Sequence, residues 1–191
     1  MKGLATETKS KGWWHAYGDA VPSWFELYVG LESAAAKLRQ YQETVIPGLL
    51  QAQEYIRALA RIDQPAATDE DREHAVQVRL QRQNLLDRRL PEPPRLDAVI
   101  SEAVLRRRVG SQSVMIGQLT GLLSASERTN VSVRVVPLAA GPHLGAVAGS
   151  FVILDFPATK GGRTAPEPSV VYSESLTGAL YLDKPAELRG L

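Results

Sequence analysis

Three residues in the second half of the chain have the chemistry of a general acid–base site: His143, Asp155 and Glu174. A loop histidine beside carboxylates of neighbouring strands can be tuned to exchange protons near neutral pH. The alternative is an exposed histidine with two ordinary carboxylates at strand edges, which is the commoner use of such residues. If the chain is an enzyme, these three are its candidate catalytic residues; otherwise the sequence indicates no catalytic residue.

Motifs for other common chemistries are absent from the sequence. Neither GxGxxG nor GxxxxGK[ST] occurs, so no phosphate-binding glycine loop is predicted. The GxSxG motif of serine hydrolases and the HExxH motif of zinc proteases are missing too. With no cysteine and only three histidines, a conventional zinc site is not expected, and we predict no metal and no cofactor.

Aromatic residues are concentrated near the N-terminus, where seven of the chain's twelve lie within the first 41 positions. Such rings either fill a core or line a pocket. Helical spacing favours the core for those at positions 24 and 28, whereas core and binding surface remain equally open for those at 13–17. With the loop histidine added, the predicted ligand-binding residues are Trp13, Trp14, His15, Tyr17, Trp24, Tyr28 and His143.

Arginines form a dense basic run at 106–108, and four more occupy positions 79, 82, 88 and 89. Together they could bind phosphates of a nucleic acid. The 22 Lys and Arg residues are balanced by 21 Asp and Glu residues. The net charge of +1 therefore creates no electrostatic field that would attract nucleic acid or anionic lipid. The favoured interpretation is therefore a solvated helix face paired with carboxylates.

The elements that would position these residues fall into two groups. Residues 1–12 are small and polar and predict a flexible tail or linker remnant. Apolar residues at three- and four-residue spacing then predict helices, with proline at one helix start and Thr68 as the cap of another. These helices span residues 23–41, 47–63 and 68–90, and they make up a helical lobe over 13–90.

Beyond the PEPP stretch at 91–94, the apolar period changes from helical to alternating. A short helical turn is predicted at 102–109 and a clearer helix after Gly110. The fold class is therefore α+β: a helical lobe of about three helices, then an antiparallel sheet with one further helix over 95–191. The two parts form either separate lobes or one compact domain. The predicted strands are 96–101, 131–136, 150–156, 169–173 and 179–183.

Several strings in the chain resemble the domain of unknown function that follows the N-terminal helix-turn-helix in many actinobacterial XRE-type, antitoxin-like transcription regulators. The resemblance begins with GWWHAYGDAVPSWFELYVGLESAAAKLRQYQETVIPGLLQAQEYIRAL at 12–59. It continues in order with VRLQRQNLL at 78–86, DAVISEAVLRRRVG at 97–110, NVSVRVVPLAAGPHLGAVAGSFVILDF at 130–156, VVYSES at 170–175 and GALYLDKPAEL at 178–188.

The resemblance implies a sensory or protein-interaction domain of such a regulator, with a small protein as its partner. The aromatic residues near the N-terminus indicate a small apolar ligand as the alternative partner. The resemblance also implies that DNA is contacted only through a separate helix-turn-helix, which this sequence lacks. The polar N-terminus without an apolar stretch predicts a cytoplasmic protein with no membrane partner. A homodimer remains open. The alternative function is an enzyme evolved on this scaffold, such as a cofactor-independent cyclase or isomerase of an apolar natural-product intermediate.

Overall fold

The structure is a computed structural model that describes residues 23–157, 167–175 and 178–183, with side chains from Phe25 onward. Within these residues, six α-helices and a six-stranded mixed sheet confirm the α+β class. The predicted tail at 1–12 lies outside the described residues.

The helices are interspersed with the strands along the chain. Thr68 caps the third one as predicted: its side chain accepts the Asp71 backbone N–H, and the Asp71 carboxylate accepts the Thr68 backbone N–H. A 3-10 turn at Gly48–Leu50, rather than a helix starting at Pro47, precedes the second one. The bounds are α1 Ser23–Ala34, α2 Gln53–Asp63, α3 Asp69–Gln83, α4 Glu102–Arg106, α5 Gln112–Ser126 and α6 Leu144–Ala148.

The strands form one sheet in the order β3-β2-β1-β4-β5-β6. The predicted antiparallel arrangement is right for β4, β5 and β6 but wrong for β1, β2 and β3, which run parallel. Helices lie in both connections between these three strands, as parallel neighbours require. The bounds are β1 Lys37–Gln42, β2 Arg95–Ser101, β3 Val131–Val136, β4 Phe151–Asp155, β5 Val170–Ser175 and β6 Gly178–Leu182.

The prediction of one helix over 23–41 is wrong after Ala34. Residues 37–42 form β1, which pairs with β2 on one side and β4 on the other. Hydrogen bonding to two neighbours decides the conformation here, although the local string AAAKLRQ consists of good helix formers. A strand inside the supposed helical lobe also means that the N-terminal lobe of three helices was predicted wrongly.

Strand side chains alternate between the two faces of the sheet. The face toward the helices, here called the inner face, carries Leu38, Leu96, Ile100 and Leu154, all with 1% exposure or less. These residues belong to one apolar cluster that also takes in residues of the helices. The opposite, outer face carries charged residues on the same strands, among them Arg39.

A buried ion pair lies between α1 and α3 on the inner side. Glu32 is 1% exposed, and its carboxylate lies 2.7 Å from Nε of Arg82. The Tyr28 hydroxyl donates to Glu32 at 2.8 Å, and the Arg82 guanidinium lies over the rings of Phe25 and Tyr28. Because each charge has its counter-ion, the helices can pack over this polar group.

Candidate functional site

An open cleft of about 290 Å³ lies on the outer face, where β1, β2, β3 and β4 run side by side. We call it the outer cleft. The strand register sets its neighbours, since Tyr41 is opposite Phe151 and Val99 is opposite Arg134. Its lining consists of Arg39, Gln40, Tyr41, Asp97, Val99, Arg134, Val136, His143, Gly145, Phe151 and Ile153.

The floor of the outer cleft is apolar. Ile153 is 6% exposed although it lies on the outer face, and Val99 and Phe151 are half-buried. The Phe151 ring centroid lies 6.1 Å from that of Tyr41. This end of the sheet therefore offers a hydrophobic surface to a bound group.

One wall of the cleft comes from α6, which folds over the end of β1. His143 caps this short helix: its Nδ1 accepts the Ala146 backbone N–H at 3.3 Å. A neutral ring with Nδ1 as acceptor carries its proton on Nε2, and Nε2 lies 3.5 Å from the Tyr41 hydroxyl. The two rings meet edge to face with centroids 5.4 Å apart.

Close contact between α6 and β1 depends on Gly145. A Cβ atom at this position would lie 3.1 Å from the ring of Tyr41. Gly149, which ends the helix, has φ of +78°, a conformation that glycine adopts without steric cost. These two glycines allow α6, with His143, to approach Tyr41. We call His143 and Tyr41 together the aromatic wall.

The opposite end of the outer face is occupied by satisfied ion pairs. Arg39 donates two hydrogen bonds to the Asp155 carboxylate, at 2.8 and 2.9 Å, and Ser169 donates a third at 2.6 Å. Burial raises the pKa of Asp155, but these hydrogen bonds outweigh burial and leave the pKa below its ordinary value. Asp97 is paired in the same way with Lys37, at 2.8 Å.

Arg134 differs from these cations. Its side chain is exposed at the rim of the outer cleft, and among the described residues it has no hydrogen-bond or ion-pair partner. A guanidinium presents a planar array of donors that matches a carboxylate or a phosphate. The cleft therefore combines an apolar floor, an aromatic wall and a cation that has no partner within the described part of the chain.

The three predicted acid–base residues are not brought together. Asp155 is in register with Lys37, whereas His143 contacts Tyr41 four residues further along β1, a distance of about 13 Å in a strand. Glu174 lies with Tyr172 on the inner side, where the tyrosine hydroxyl donates to it at 3.2 Å. Of the three, only His143 lines the outer cleft.

The described residues include only some of the predicted aromatic ligand-binding residues. Tyr28 is 4% exposed and packs against Tyr172 with ring centroids 4.1 Å apart and the planes tilted by 33°, which agrees with a core role. Trp24 lies in α1, but its side chain is outside the described residues. The remaining four, at positions 13, 14, 15 and 17, also lie outside them.

Most arginines of the basic segments are engaged within the chain. Five of the seven at 79–89 and 106–108 contact a carboxylate or a backbone carbonyl, which agrees with the solvated, paired interpretation. These contacts join Arg79 to Asp63, Arg82 to Glu32, Arg88 to Ser33, Arg106 to Glu102 and Arg107 to Thr44.

A smaller groove of about 180 Å³ separates α2 from α3. Two of its arginines are also paired, Arg57 with Glu73 and Arg72 with Asp69. The hydrogen bonds from Arg57, and a further one from Gln77, lower the pKa of Glu73 to about 2. This groove lies between two helices, and its volume is smaller than that of the outer cleft.

Comparison with known proteins places the chain in a family. Residues 25–191 match the family described as "Domain of unknown function (DUF5753)". The chain belongs to this family. The match to DUF5753 covers both the outer cleft and the core beneath it. No curated protein and no solved structure matches the chain.

The DUF5753 structure adds two observations on its described residues. None of their helices has both the length and the apolar character that a membrane crossing requires. No group of three or more His, Asp or Glu side chains among them is placed to hold a metal ion.

Sequence reasoning missed Arg39, Tyr41 and Arg134 as lining residues of the cleft. The signal for Arg134 was present, because it is the only charged residue in the apolar string VSVRVV. Tyr41 was assigned to a helix, so its position beside the loop at 137–149 could not be inferred.

Proposed function

We propose that this DUF5753 chain is a sensory binding domain of a transcription regulator, which takes a small ligand into the outer cleft without turnover. The observation that carries the proposal is the guanidinium of Arg134, which has no ion-pair partner among the described residues and lies beside an apolar floor. The link to XRE-type regulators, and with it a cytoplasmic setting, rests on the sequence resemblance. The chemistry of the ligand rests on the cleft.

An anionic group on the ligand is favoured by Arg134. A hydrogen bond to a charged group contributes about 1.5–3 kcal/mol, roughly twice the contribution of a neutral one. The Arg39 guanidinium, in contrast, is already satisfied by Asp155. A carboxylate or phosphate would therefore bind at the β3 side of the cleft.

A small apolar body on the ligand is favoured by the floor and the aromatic wall. Ligand pockets usually have volumes of about 300–1,000 Å³, and this one lies at the lower limit. The floor residues Val99, Phe151 and Ile153 would bury apolar atoms, and the Tyr41 ring would pack against a planar group.

Binding without turnover is favoured by the hydrogen bonds of the candidate acid–base residues. His143 uses Nδ1 as a helix cap, and its Nε2 faces Tyr41. Asp155 is held by Arg39 and Ser169. No observation on the described residues favours the cyclase or isomerase alternative.

The proposal is tested with three probes that share one ring: benzoate, phenyl phosphate and neutral benzyl alcohol. Each is titrated into the isotopically labelled 191-residue chain by NMR. We expect the two anions to shift the signals of Val99, Arg134 and Phe151, and the alcohol to bind more weakly. In Arg134→Gln, anion affinity should fall about tenfold, which corresponds to 1.4 kcal/mol.

The matched control is Arg108→Gln, which removes an exposed arginine outside the cleft. It should leave the anion affinity unchanged. Equal affinity of wild type and Arg134→Gln for benzoate and phenyl phosphate would contradict the proposal, as would shifts that spread evenly over the surface.

A further inference from the structure

Within the described part of the chain, the edge strand β3 exposes backbone groups that have no hydrogen-bond partner. β3 ends the sheet, so only β2 lies beside it among the described strands. The Leu96 N–H donates to the Asn130 carbonyl, and Leu96 is in register with Val131. In a parallel ladder, alternate residues bond to the neighbour, so Val133 and Val135 direct their N–H and C=O groups away from the sheet.

Among the described residues, the β3 edge has few of the devices that prevent strand pairing. Proteins protect such edges with charged side chains, especially lysine, with proline or with a bulge. The string VSVRVV contains no proline, its register with β2 runs without interruption from Val131 to Val136, and its one charged residue, Arg134, lies on the outer face. The edge can therefore accept another strand in a register that keeps Arg134 away from a like charge.

Helix α5, which packs against β3, presents an uncharged side to solvent. None of its 15 residues is charged, although the chain contains 22 Lys and Arg and 21 Asp and Glu residues. Ile116 is 59% exposed and Leu123 is 70% exposed. An uncharged surface that meets a copy of itself brings no like charges together.

We propose that a second copy of this chain pairs with β3 in an antiparallel manner about a two-fold axis, which joins two six-stranded sheets into one. A two-fold axis brings the same surface of both copies together. The β3 edge can face a copy of itself because antiparallel strands pair with each other. The uncharged side of α5 can do so because no like charges meet. The pairing goes beyond ligand binding and does not depend on it.

Strand length, side-chain alternation and charge together select one register of the pairing. Opposed residues of antiparallel strands lie on the same face, so the axis passes through one residue rather than between two. Five of the six residues of β3 are paired if that residue is Val133 or Arg134. An axis at Arg134 would place two guanidinium groups opposite each other, which destabilises the pair. An axis at Val133 instead places Val133 opposite itself, Val131 opposite Val135, and Arg134 opposite Ser132.

This register extends the outer cleft. Both outer faces become continuous, and Ser132 of the second copy would stand beside Arg134 on the rim of the cleft. The serine hydroxyl could then donate to an anion held by the guanidinium. Dimer formation and ligand binding would thus share this rim.

Single cysteines test the register, because the chain has no cysteine of its own. Opposed residues of a hydrogen-bonded antiparallel pair have Cα atoms about 5.5 Å apart, within the range of a disulfide. Under mild oxidation, Val133→Cys should give a covalent dimer. Arg134→Cys and Val135→Cys should remain mostly monomeric on a denaturing gel, since neither residue is opposite itself.

Sedimentation equilibrium of the unmodified chain tests the association itself. We expect a dimer, and Leu123→Glu should weaken it about tenfold by introducing like charges. Ile62→Glu, on the exposed side of α2 at 69% exposure, is the matched control and should associate as the wild type does. Circular dichroism confirms that each variant is folded. A monomer at every concentration, or cross-linking through Arg134→Cys in place of Val133→Cys, would overturn the proposal.

Discussion

The inner and outer faces of the sheet are built from the same strands, yet their side chains have different neighbours. On the inner face, Leu38, Leu96 and Leu154 have 1% exposure or less and pack against residues of the helices. On the outer face, the alternate residues include Arg39 and Arg134, which are exposed. Since one residue step separates the two faces, residues that stabilise the fold and residues available for binding alternate along each strand.

Polarity alone does not distinguish the faces. The inner side contains the charged pair Glu32 and Arg82, and the outer side contains the nearly buried Ile153. The difference concerns charge pairing: the buried charges lie 2.7 Å apart, whereas Arg134 has no ion-pair partner among the described residues. A guanidinium without a counter-ion on a stable sheet is where we expect an anion to bind.

The largest effect is expected from breaking the inner ion pair. Glu32→Ala leaves the Arg82 guanidinium buried without its counter-ion, which should lower the free energy of unfolding by about 3–5 kcal/mol. Urea denaturation measures the loss. The double variant with Met at both positions removes both charges and should recover much of the stability. A loss below about 1 kcal/mol in Glu32→Ala would show that water reaches this pair.

A direct comparison of the faces comes from two apolar residues of β2 that lie on opposite faces of the sheet. Leu96→Ala creates a cavity in the core and should cost about 2–5 kcal/mol. Val99→Ala on the outer face should cost about 1 kcal/mol or less, since its side chain is only half-buried. Equal losses in thermal or urea unfolding would contradict the difference between the faces.

On the outer face, the ion pair of Asp155 predicts that the free energy of unfolding depends on pH. Its pKa is lower in the folded chain than the unfolded value of about 3.9, so the carboxylate stabilises the fold above that pH. This stabilisation is lost as the pH falls through the folded pKa. Asp155→Asn should therefore cost about 1 kcal/mol or less near neutral pH and nothing in strong acid.

Urea denaturation of the Asp155→Asn variant at several pH values checks this. Glu127→Gln, which removes an exposed carboxylate that has no ion pair among the described residues, should keep the pH profile of the wild type. A stability difference that persists unchanged into strong acid would show that the aspartate contributes by packing rather than by charge.

Sequence patterns predicted those elements whose stability is local. Thr68 and Asp71 form a capping box that needs no tertiary contact, and VSVRVV is rich in the β-branched residues that favour strands. The string AAAKLRQ has a high helix propensity and therefore predicts a helix, whereas its strand conformation requires β2 and β4 on either side. The parallel direction of β1, β2 and β3 likewise depends on the long connections between them. Local periodicity carries no information on strand direction.

The outer cleft was harder to predict than the fold. His143 was recognised from the loop at 137–149, but its neighbour Tyr41 is 102 residues away in sequence, and Phe151 lies beside Tyr41. Their proximity depends on the antiparallel pairing of β4 with β1, which the misassigned helix concealed. Conversely, the spacing that grouped His143 with Glu174 could not show that strand alternation places the glutamate on the inner side.

The smallest change in stability is expected at the wall of the cleft. In Gly145→Ala, the added Cβ would lie 3.1 Å from the Tyr41 ring, so α6 must move by a few tenths of an ångström. Because this helix is short and mostly exposed, the free energy of unfolding should change by about 0.5 kcal/mol or less. The NMR signals of Tyr41 and His143 should shift nonetheless, and those of Leu96 should not. Ala148→Ser, an exposed change in the same helix, should leave all three in place. Unchanged Tyr41 signals in Gly145→Ala would mean that α6 does not rest on β1 in solution, and the cleft would lose its aromatic wall.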